Sequence, residues 1–247
     1  MKRHLIIPDA QVKPESRIEH IRWAGQAILE YKPDLVIILG DWWDLPSLNS
    51  HAEKGSIEVE GRRYDDDIAA GNAAFKLLNS YFNKTRSKSW NPRKVFLEGN
   101  HENRANRVAN NDPKWKGIVG SHNCQTLDWE RHEFLKIVEI DGIKYCHYFP
   151  NPFSGKPIGG TIVNRLNAIG TSFVQGHQQG FLYASKQYPD HVKHGLVAGR
   201  FYLEHESYRP NDVQNNEWNG IVVLNGVSNG DYDLMPLRID YLRRKYG

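Results

Sequence analysis

The stretch KVFLEGNHENR, residues 94–104, joins a short apolar run to a cluster of polar side chains. Residues 95–97 are typical of a buried strand, and a single glycine, Gly99, separates that strand from an amide, an imidazole, a carboxylate and a guanidinium. In α/β proteins, ligands bind beyond the carboxyl ends of parallel strands. The position of this cluster therefore favours chemistry over packing.

Strand-like and helix-like segments alternate through the first half of the chain. The predicted strands cover residues 4–7, 35–39 and 95–97. The predicted helices cover residues 17–30 and 68–82, where apolar residues recur at helical spacing. The resulting β-α-β-α-β order predicts a parallel sheet.

The second half of the chain is rich in strand patterns. Its predicted strands are residues 135–140, 145–148, 173–175, 181–184, 221–227 and 234–239. These strands predict a second, partly antiparallel sheet. Residues 42–67 and 103–134 lack a clear strand period and are predicted to be long loops with short helices. Structureless loops of that length are uncommon unless they are functional or disordered.

Composition limits the class of protein. A chain of 247 residues with 39% apolar content can bury one large core, so a single domain over residues 1–247 is expected. The net charge is only +3, which is far below the dense positive charge that a protein needs to bind nucleic acid by charge alone. A local basic patch is still compatible with this net charge. Two cysteines, Cys124 and Cys146, argue against a disulfide scaffold.

The N-terminal sequence and the apolar runs predict a location. MKRHLIIPDA turns polar too early for a signal peptide, and no apolar run approaches the roughly 20 residues that span a bilayer. We therefore expect a cytoplasmic protein without a membrane partner. The sequence leaves its oligomeric state open.

Polar residues of the metal-binding type follow several predicted strands. They are Asp9, Gln11, Asp41, Asp44, Asn100, His101, His147, His177 and Gln179. Any one of them alone is an ordinary turn or cap residue. Together, carboxylates, an asparagine oxygen and imidazoles form the ligand set that divalent cations prefer. The sequence therefore predicts a shared metal site.

The ordered motifs PDAQ, GDWWD, GNHE, a later strand histidine and GHQQ resemble those of the calcineurin-like metallophosphoesterases. The pattern of that family is DxH, GDxxD, GNHE, H and GHxH. The DxQ opening and the GHQQ ending are similar to a branch found in bacterial viruses, which would place the protein in the host cytoplasm. The resemblance implies a four-layer α/β/β/α sandwich of two mixed sheets flanked by helices, with two divalent metal ions at the sheet edges.

The resemblance also assigns ligands. One metal ion would be held by Asp41, Asn100, His147 and His177. The other would be held by Asp9, Gln11, the shared Asp41 and Gln179. Here the sequence departs from the family, because Gln11 and Gln179 stand where histidines are expected. A glutamine oxygen is a harder and weaker donor than an imidazole nitrogen, so this second site should bind more weakly and favour magnesium or manganese over zinc.

The remaining residues of the motifs receive roles by the same resemblance. His101 would be the general acid that protonates the leaving oxygen, and Asp44 would orient and charge its ring. Independently of the resemblance, the guanidinium of Arg104 could clamp a phosphate oxygen of the substrate. Glu102 has a simpler interpretation as a cap on a helix that starts near Asn103.

For some of the other polar and aromatic residues a functional and a structural role are both possible, and for the rest only a structural role is expected. Trp42 and Trp43 could stack on a base or sugar ring, or pack beneath the loop beside the metals. Cys146 precedes His147 on a predicted strand, points to the opposite face and is expected in the core. The loop residues His51, Arg62 and Arg63 would contact substrate or form a solvated surface. Histidines without motif context are expected at the surface: His20, His122, His132, His191, His194 and His205.

Three functions are compatible with the sequence. The favoured one is a metal-dependent phosphoesterase that hydrolyses a phosphodiester, such as nucleic acid or a nucleotide, with a hydroxide activated by two metal ions. The alternatives are a phosphomonoesterase acting on a phosphoprotein or nucleotide, and a metal-binding module without turnover. The last is considered because Gln11 and Gln179 weaken one site, whereas the intact Asp44 and His101 argue against it.

Overall fold

The computed structural model describes residues 1–49, 60–84, 89–204 and 217–247. The α-helices of this part of the chain are α1 (Glu19–Tyr31), α2 (Tyr64–Ser80), α3 (Glu102–Asn111), α4 (Ile162–Ile169) and α5 (Ile239–Tyr246). The strands of the first half are β1 (Lys2–Ile7), β2 (Leu35–Ile38), β3 (Arg93–Leu97) and β4 (Glu130–His132). The strands of the second half are β5 (Val138–Ile140), β6 (Ile143–Cys146), β7 (Phe173–Gln175), β8 (Phe181–Gln187), β9 (Val192–Ala198), β10 (Gly220–Ser228) and β11 (Asp231–Arg238).

These strands form two mixed sheets. The first sheet has the order β11-β10-β1-β2-β3-β4, in which β1 to β4 are parallel and β10 is antiparallel to both β1 and β11. The second sheet has the order β5-β6-β7-β9-β8. Its inner strands β6, β7 and β9 are parallel, and its outer strands β5 and β8 are antiparallel to their neighbours.

Alternation of side chains along the strands produces the layers. In β1, Leu5 and Ile7 belong to the core cluster that contains the buried residues of α1 and α2, whereas Ile6 belongs to the cluster shared with the second sheet. A third cluster joins Cys146 and Phe173 of the second sheet to Leu166 of α4. Because successive strand side chains point to opposite faces, each sheet packs on both faces: helices cover one face, and the other sheet covers the second. The predicted α/β/β/α sandwich is confirmed.

The structure corrects the predicted assignment of strands to sheets. The predicted strands 221–227 and 234–239 correspond to β10 and β11, which extend the first sheet and not the second. The first sheet is therefore mixed and not wholly parallel. Local pattern identifies a strand but not its neighbour, since pairing depends on which apolar faces meet in the folded chain.

Several elements differ from the predicted boundaries or were not predicted. The predicted loop 103–134 contains all but the first residue of helix α3, in agreement with the short helices expected there, and the edge strand β4, which was not predicted. The elements α4, β9 and α5 have no counterpart in the sequence-based prediction. Helix α2 begins at Tyr64, four residues earlier than predicted, where Asp65, Asp66 and Asp67 lie in its first turn. Acidic side chains stabilise the N-terminal end of a helix, which explains this earlier start.

Three predictions concern the surface and the membrane. Of the residues predicted to contact substrate or form a solvated surface, Arg62 forms an ion pair with Glu15 at 2.5 Å between Nη1 and Oε2, whereas His51 lies outside the described residues. Among the histidines predicted at the surface, His20 and His194 are instead buried, and His205 lies outside the described residues. In the described part of the chain, no helix has the length and apolar character needed to cross a bilayer.

Candidate metal centre

The ends of five strands bring the predicted ligand residues to one edge of the sandwich. In the first sheet, Asp9, Asp41 and Asn100 follow the parallel strands β1, β2 and β3. In the second sheet, His147 follows β6 and His177 follows β7, and these two strands are also parallel. Parallel strands end on the same side of a sheet, so residues far apart in sequence meet there.

The side chains of Asp41, Asn100, His147 and His177 are in direct contact. Oδ1 of Asn100 lies 2.8 Å from Nε2 of His147 and 2.8 Å from Nδ1 of His177. Nε2 of His147 lies 3.4 Å from Oδ2 of Asp41. One ligand atom each from Asp41, His147 and His177 lies within 4.8 Å of the others. Such spacing allows one cation to contact all of them, and carboxylate plus imidazole is a normal donor set for manganese, iron or zinc.

Asp9 adds an unsatisfied oxygen beside this cluster. Its side chain is fully buried, and Oδ1 accepts a hydrogen bond from the backbone N–H of His177 at 3.1 Å. Oδ2 has no hydrogen-bond partner among the described residues. Burial, together with the nearby Asp41 carboxylate, raises the pKa of Asp9 to about 7. A buried carboxylate oxygen without a partner is costly, so the donor set fits a cation that would satisfy it.

The two histidines differ in their electrostatic surroundings. Burial disfavours a charged His147 ring, but the Asp41 carboxylate outweighs it and raises the pKa to about 9. Burial, and then the nearby His147, lower the pKa of His177 to about 4. Nδ1 of His147 lies 2.8 Å from the carbonyl oxygen of Leu39. A backbone acceptor at Nδ1 leaves Nε2 facing Asp41 and Asn100, where it would be the nitrogen that binds a metal ion.

The two glutamines lie in the same region. Gln11 is buried, and its backbone N–H donates to the carbonyl oxygen of Asp41 at 2.8 Å. Oε1 of Gln179 accepts a hydrogen bond from the hydroxyl group of Tyr202 at 2.7 Å. Ligation by Gln11 and Gln179 stays a prediction.

Three of the nine non-glycine residues with a positive φ angle in the described part of the chain lie at the candidate metal centre. Gln11, Asp41 and His177 adopt positive φ angles of 43°, 50° and 64°. Left-handed backbone is unfavourable for residues with a side chain and costs on the order of 1–3 kcal/mol at each position. Such strain is typical of functional sites, where the surrounding structure maintains a side chain in an otherwise disfavoured direction.

Two glycines of the motifs are required because carboxylate side chains of other loops lie very close to their Cα atoms. A Cβ atom on Gly99 would lie 2.1 Å from Oδ1 of Asp41, and a Cβ atom on Gly176 would lie 2.5 Å from Oδ1 of Asp9. Both distances are shorter than any normal contact, so a larger residue would displace the carboxylates. The glycines of GNHE and GHQQ therefore allow Asp41 and Asp9 to pack directly against the opposite loops.

His101 lies between Asp44 and Arg104. Nδ1 of His101 is 2.9 Å from Oδ1 of Asp44, and Nε2 is 2.9 Å from a guanidinium nitrogen of Arg104. Nη1 of Arg104 also donates to the carbonyl oxygen of Asp44 at 2.8 Å. Burial disfavours a charged ring, but Asp41, and then Asp44, outweigh it and raise the pKa of His101. The predicted acid and its carboxylate are thus adjacent, and Arg104 contacts them both.

Glu102 has a different place from the predicted helix cap. It is fully buried, and its Oε2 accepts hydrogen bonds from the backbone N–H groups of Gly99 at 2.7 Å and Asp41 at 3.0 Å. Its Oε1 accepts from the N–H group of Trp43 at 3.0 Å. Glu102 therefore joins the loop after β2 to the loop after β3, and the motif spacing gave no signal of this role.

The aromatic residues near the centre have distinct roles. Trp42 and Trp43 are fully buried, and the ring of Trp43 stacks on Phe75 at 5.6 Å between centroids. They form part of the core, which excludes stacking on a substrate. The half-buried Phe134 and Tyr148 instead lie beside the metal centre, with the Tyr148 ring 4.8 Å from that of His177. Sequence reasoning missed both, because neither belongs to a recognisable motif. Cys146 is buried, as predicted.

Comparison with known proteins gives only distant likeness. No family model and no curated protein sequence matches the chain. One solved structure, described as a novel archaeal phosphodiesterase, is 13% identical and aligns over 95% of this chain and 99% of its own with a TM-score of 0.43. A second solved structure is 10% identical, with 95% of this chain and 98% of its own aligned and a TM-score of 0.42. Likeness this remote does not define the function of the chain.

Proposed function

We propose that the protein is a metal-dependent phosphoesterase that hydrolyses a phosphodiester such as a nucleotide ester or nucleic acid. The observation that carries this proposal is the convergence of Asp41, Asn100, His147 and His177 at the strand ends, with the unsatisfied carboxylate oxygen of Asp9 beside them. Divalent cations bound at such a site polarise a phosphoryl group and make hydroxide available near neutral pH. We further propose that one domain, residues 1–247, carries this activity.

Two groups of residues would hold the cations. Asp41, Asn100, His147 and His177 would form the stronger site. Asp9, Gln11 and Gln179 would form the weaker site together with the shared Asp41, and oxygen donors there would favour manganese or magnesium. The bond from Tyr202 supports a weaker site, because its hydroxyl group draws on the same Gln179 oxygen that a cation would use.

His101 is the proposed general acid. Its Nδ1 faces the Asp44 carboxylate at 2.9 Å, so Nε2 is the nitrogen left to face a substrate. The guanidinium of Arg104 lies 2.9 Å from that nitrogen. A bound phosphate would attract the guanidinium away from the ring, because charge-assisted bonds to an anion are stronger than a bond to a neutral imidazole. Once the guanidinium has moved to the substrate, Nε2 of His101 would take up a proton from water, which the raised pKa of His101 favours, and would donate that proton to the leaving oxygen while Arg104 holds the substrate.

The charges near His101 favour a diester over a monoester. The positive side chains of Lys13 and Arg104 both lie near Asp44, at 3.8 Å and 3.9 Å from its carboxylate oxygens. Part of their charge is therefore balanced before a substrate binds. A phosphodiester carries one negative charge, whereas a phosphomonoester carries close to two at neutral pH. The local charge suits the less anionic substrate.

A single assay tests this proposal. Hydrolysis of bis-p-nitrophenyl phosphate and of p-nitrophenyl phosphate should be compared with manganese, with magnesium and after removal of metal. We expect metal-dependent turnover with preference for the diester, and its loss in His177→Ala but not in His191→Ala, which changes an exposed histidine outside the cluster. Preference for the monoester would support the phosphomonoesterase. Metal binding without turnover of either ester would support a binding module.

A further inference from the structure

A polar cleft of about 590 Å³ lies beside the metal centre. Asn103, Asn106 and Asn110 of α3 line it on one side, and the chain from Gly117 to His122 lines it on the other. The three asparagines are spaced by three and four residues, so they share one face of the helix. The volume falls within the roughly 300–1,000 Å³ that is usual for sites that bind small molecules.

The cleft is connected to the metal centre through Phe134 and Asn103. Phe134 lines the cleft, and its ring lies 6.2 Å from that of His147 and 5.6 Å from that of Tyr148, between centroids. Asn103 lies in the first turn of α3, three residues after Asn100. A group attached to a phosphate at the metal centre could therefore extend into the cleft without leaving the protein surface.

The charges in the cleft exclude a second phosphate as its ligand. Among the described residues, no lysine or arginine lines it, whereas Glu98 and Glu133 do. The carboxylate of Glu98 is already bonded to the Ser121 hydroxyl at 3.0 Å and to Nε of Arg131 at 2.9 Å. The cleft therefore suits a neutral polar group: Arg131 balances the Glu98 carboxylate, and a further anion would still face the Glu133 carboxylate with no lysine or arginine among the described lining residues.

The chemistry of the lining matches a nucleobase. An asparagine amide offers a donor and an acceptor side by side, which can pair with the edge of a base. The side-chain oxygen of Asn106 accepts from the backbone N–H of Ser121 at 2.8 Å, which orients that amide. Phe134 is half-buried, so part of its ring remains available for stacking, the usual way in which aromatic side chains bind bases.

We propose that this cleft binds the nucleoside portion of a phosphodiester, with the base stacked on Phe134 and its polar edge bonded to the asparagines of α3. This inference rests on the proposed function and names its substrate class. A nucleotide has the required arrangement, because its sugar separates an anionic phosphate from a neutral planar base. The nucleoside would be retained in the cleft during hydrolysis, while the other ester group leaves.

Two esters with the same leaving group test the cleft. They are thymidine 5′-(p-nitrophenyl phosphate) and methyl p-nitrophenyl phosphate, which differ in the nucleoside alone. We expect kcat/KM to be roughly 10- to 100-fold higher for the thymidine ester, from the usual contribution of stacking and base-edge bonds. Phe134→Leu and Asn110→Ala should reduce this ratio towards one. Asn111→Ala, which changes an exposed neighbour that does not line the cleft, should preserve it.

The outcomes separate this inference from the proposed function. Equal kcat/KM for the two esters in the wild type, or an unchanged ratio in Phe134→Leu, would overturn the nucleoside site while the phosphodiesterase stands. If neither ester is hydrolysed, the proposed function fails. The cleft is then tested separately by calorimetry, which compares the binding of adenosine 5′-monophosphate with that of methyl phosphate in the presence of manganese. Tighter binding of the nucleotide that weakens at least fivefold in Phe134→Leu supports the cleft, and equal binding of both ligands overturns it.

Discussion

Glu102→Gln tests how the two loops of the metal centre are held together. The carboxylate of Glu102 accepts hydrogen bonds from three backbone N–H groups, those of Asp41, Trp43 and Gly99. A glutamine can accept the two bonds made by Oε2, but its NH2 group then faces the N–H of Trp43. The variant loses a hydrogen bond to a charged acceptor and leaves a buried donor unpaired, which together should lower the free energy of unfolding by about 3 kcal/mol. For a chain of this size, that corresponds to a decrease in Tm of roughly 6–12 °C.

The measurement is urea unfolding of the metal-free protein, followed by metal titration of each variant. Glu139→Gln is the matched control, because Glu139 is an exposed residue on β5. We expect the control to retain wild-type stability, and Glu102→Gln to lose both stability and metal affinity, since Asp41 is both a proposed ligand and a partner of Glu102. If both variants unfold at the same urea concentration and bind manganese equally, Glu102 does not organise the site.

Three further predictions concern catalysis, metal binding and pH. His101→Asn should lower turnover roughly 10²- to 10⁴-fold for an alkyl ester and less for a nitrophenyl ester, because general acid catalysis matters most for a poor leaving group. Equal losses on the two esters, or loss of bound metal, would contradict the role of His101. Titration with manganese should show one tight ion and one weaker ion, and Gln179→His should tighten the weaker site and shift its preference towards zinc. An unchanged metal profile in that variant would argue against ligation by Gln179. His20 is buried without a hydrogen-bond partner among the described residues, and burial lowers its pKa to about 3. Because the unfolded chain binds this proton below its reference pKa of about 6.5, stability should fall by about 1.4 kcal/mol per pH unit from pH 6.5 towards 3. His20→Leu should flatten that slope in urea unfolding at several pH values, and an unaltered slope would show that His20 does not cause it.

The sequence by itself determined the main strands and the position of the site. Residues 4–7, 35–39 and 95–97 are short apolar runs, each followed within two residues by a polar side chain, and they form β1, β2 and β3 nearly as predicted. Short-range pattern suffices here, because a strand buried on both faces must be apolar throughout. The same pattern placed Asp41 and Asn100 at adjacent strand ends.

The sequence could not decide whether an apolar residue packs in the core or faces a substrate, nor which sheet a strand joins. Trp42 and Trp43 follow Asp41 directly and were compatible with a substrate platform, yet both lie in the core against Phe75. This packing depends on helix α2, which contributes Phe75 and begins about twenty residues after Trp43 in the sequence. Similarly, β10 and β11 extend the first sheet because β10 pairs with the edge of β1 that β2 does not occupy. Local sequence patterns do not show which strands will pair.

The tertiary structure alone decided the contacts that give the site its chemistry. Glu102 bonds three N–H groups of two loops, the Tyr202 hydroxyl bonds Gln179, and Arg104 contacts His101. The first and second of these contacts join residues distant in sequence. Sequence patterns report the periodicity of apolar burial, whereas the partner of a polar atom is set by distance and direction in the folded chain.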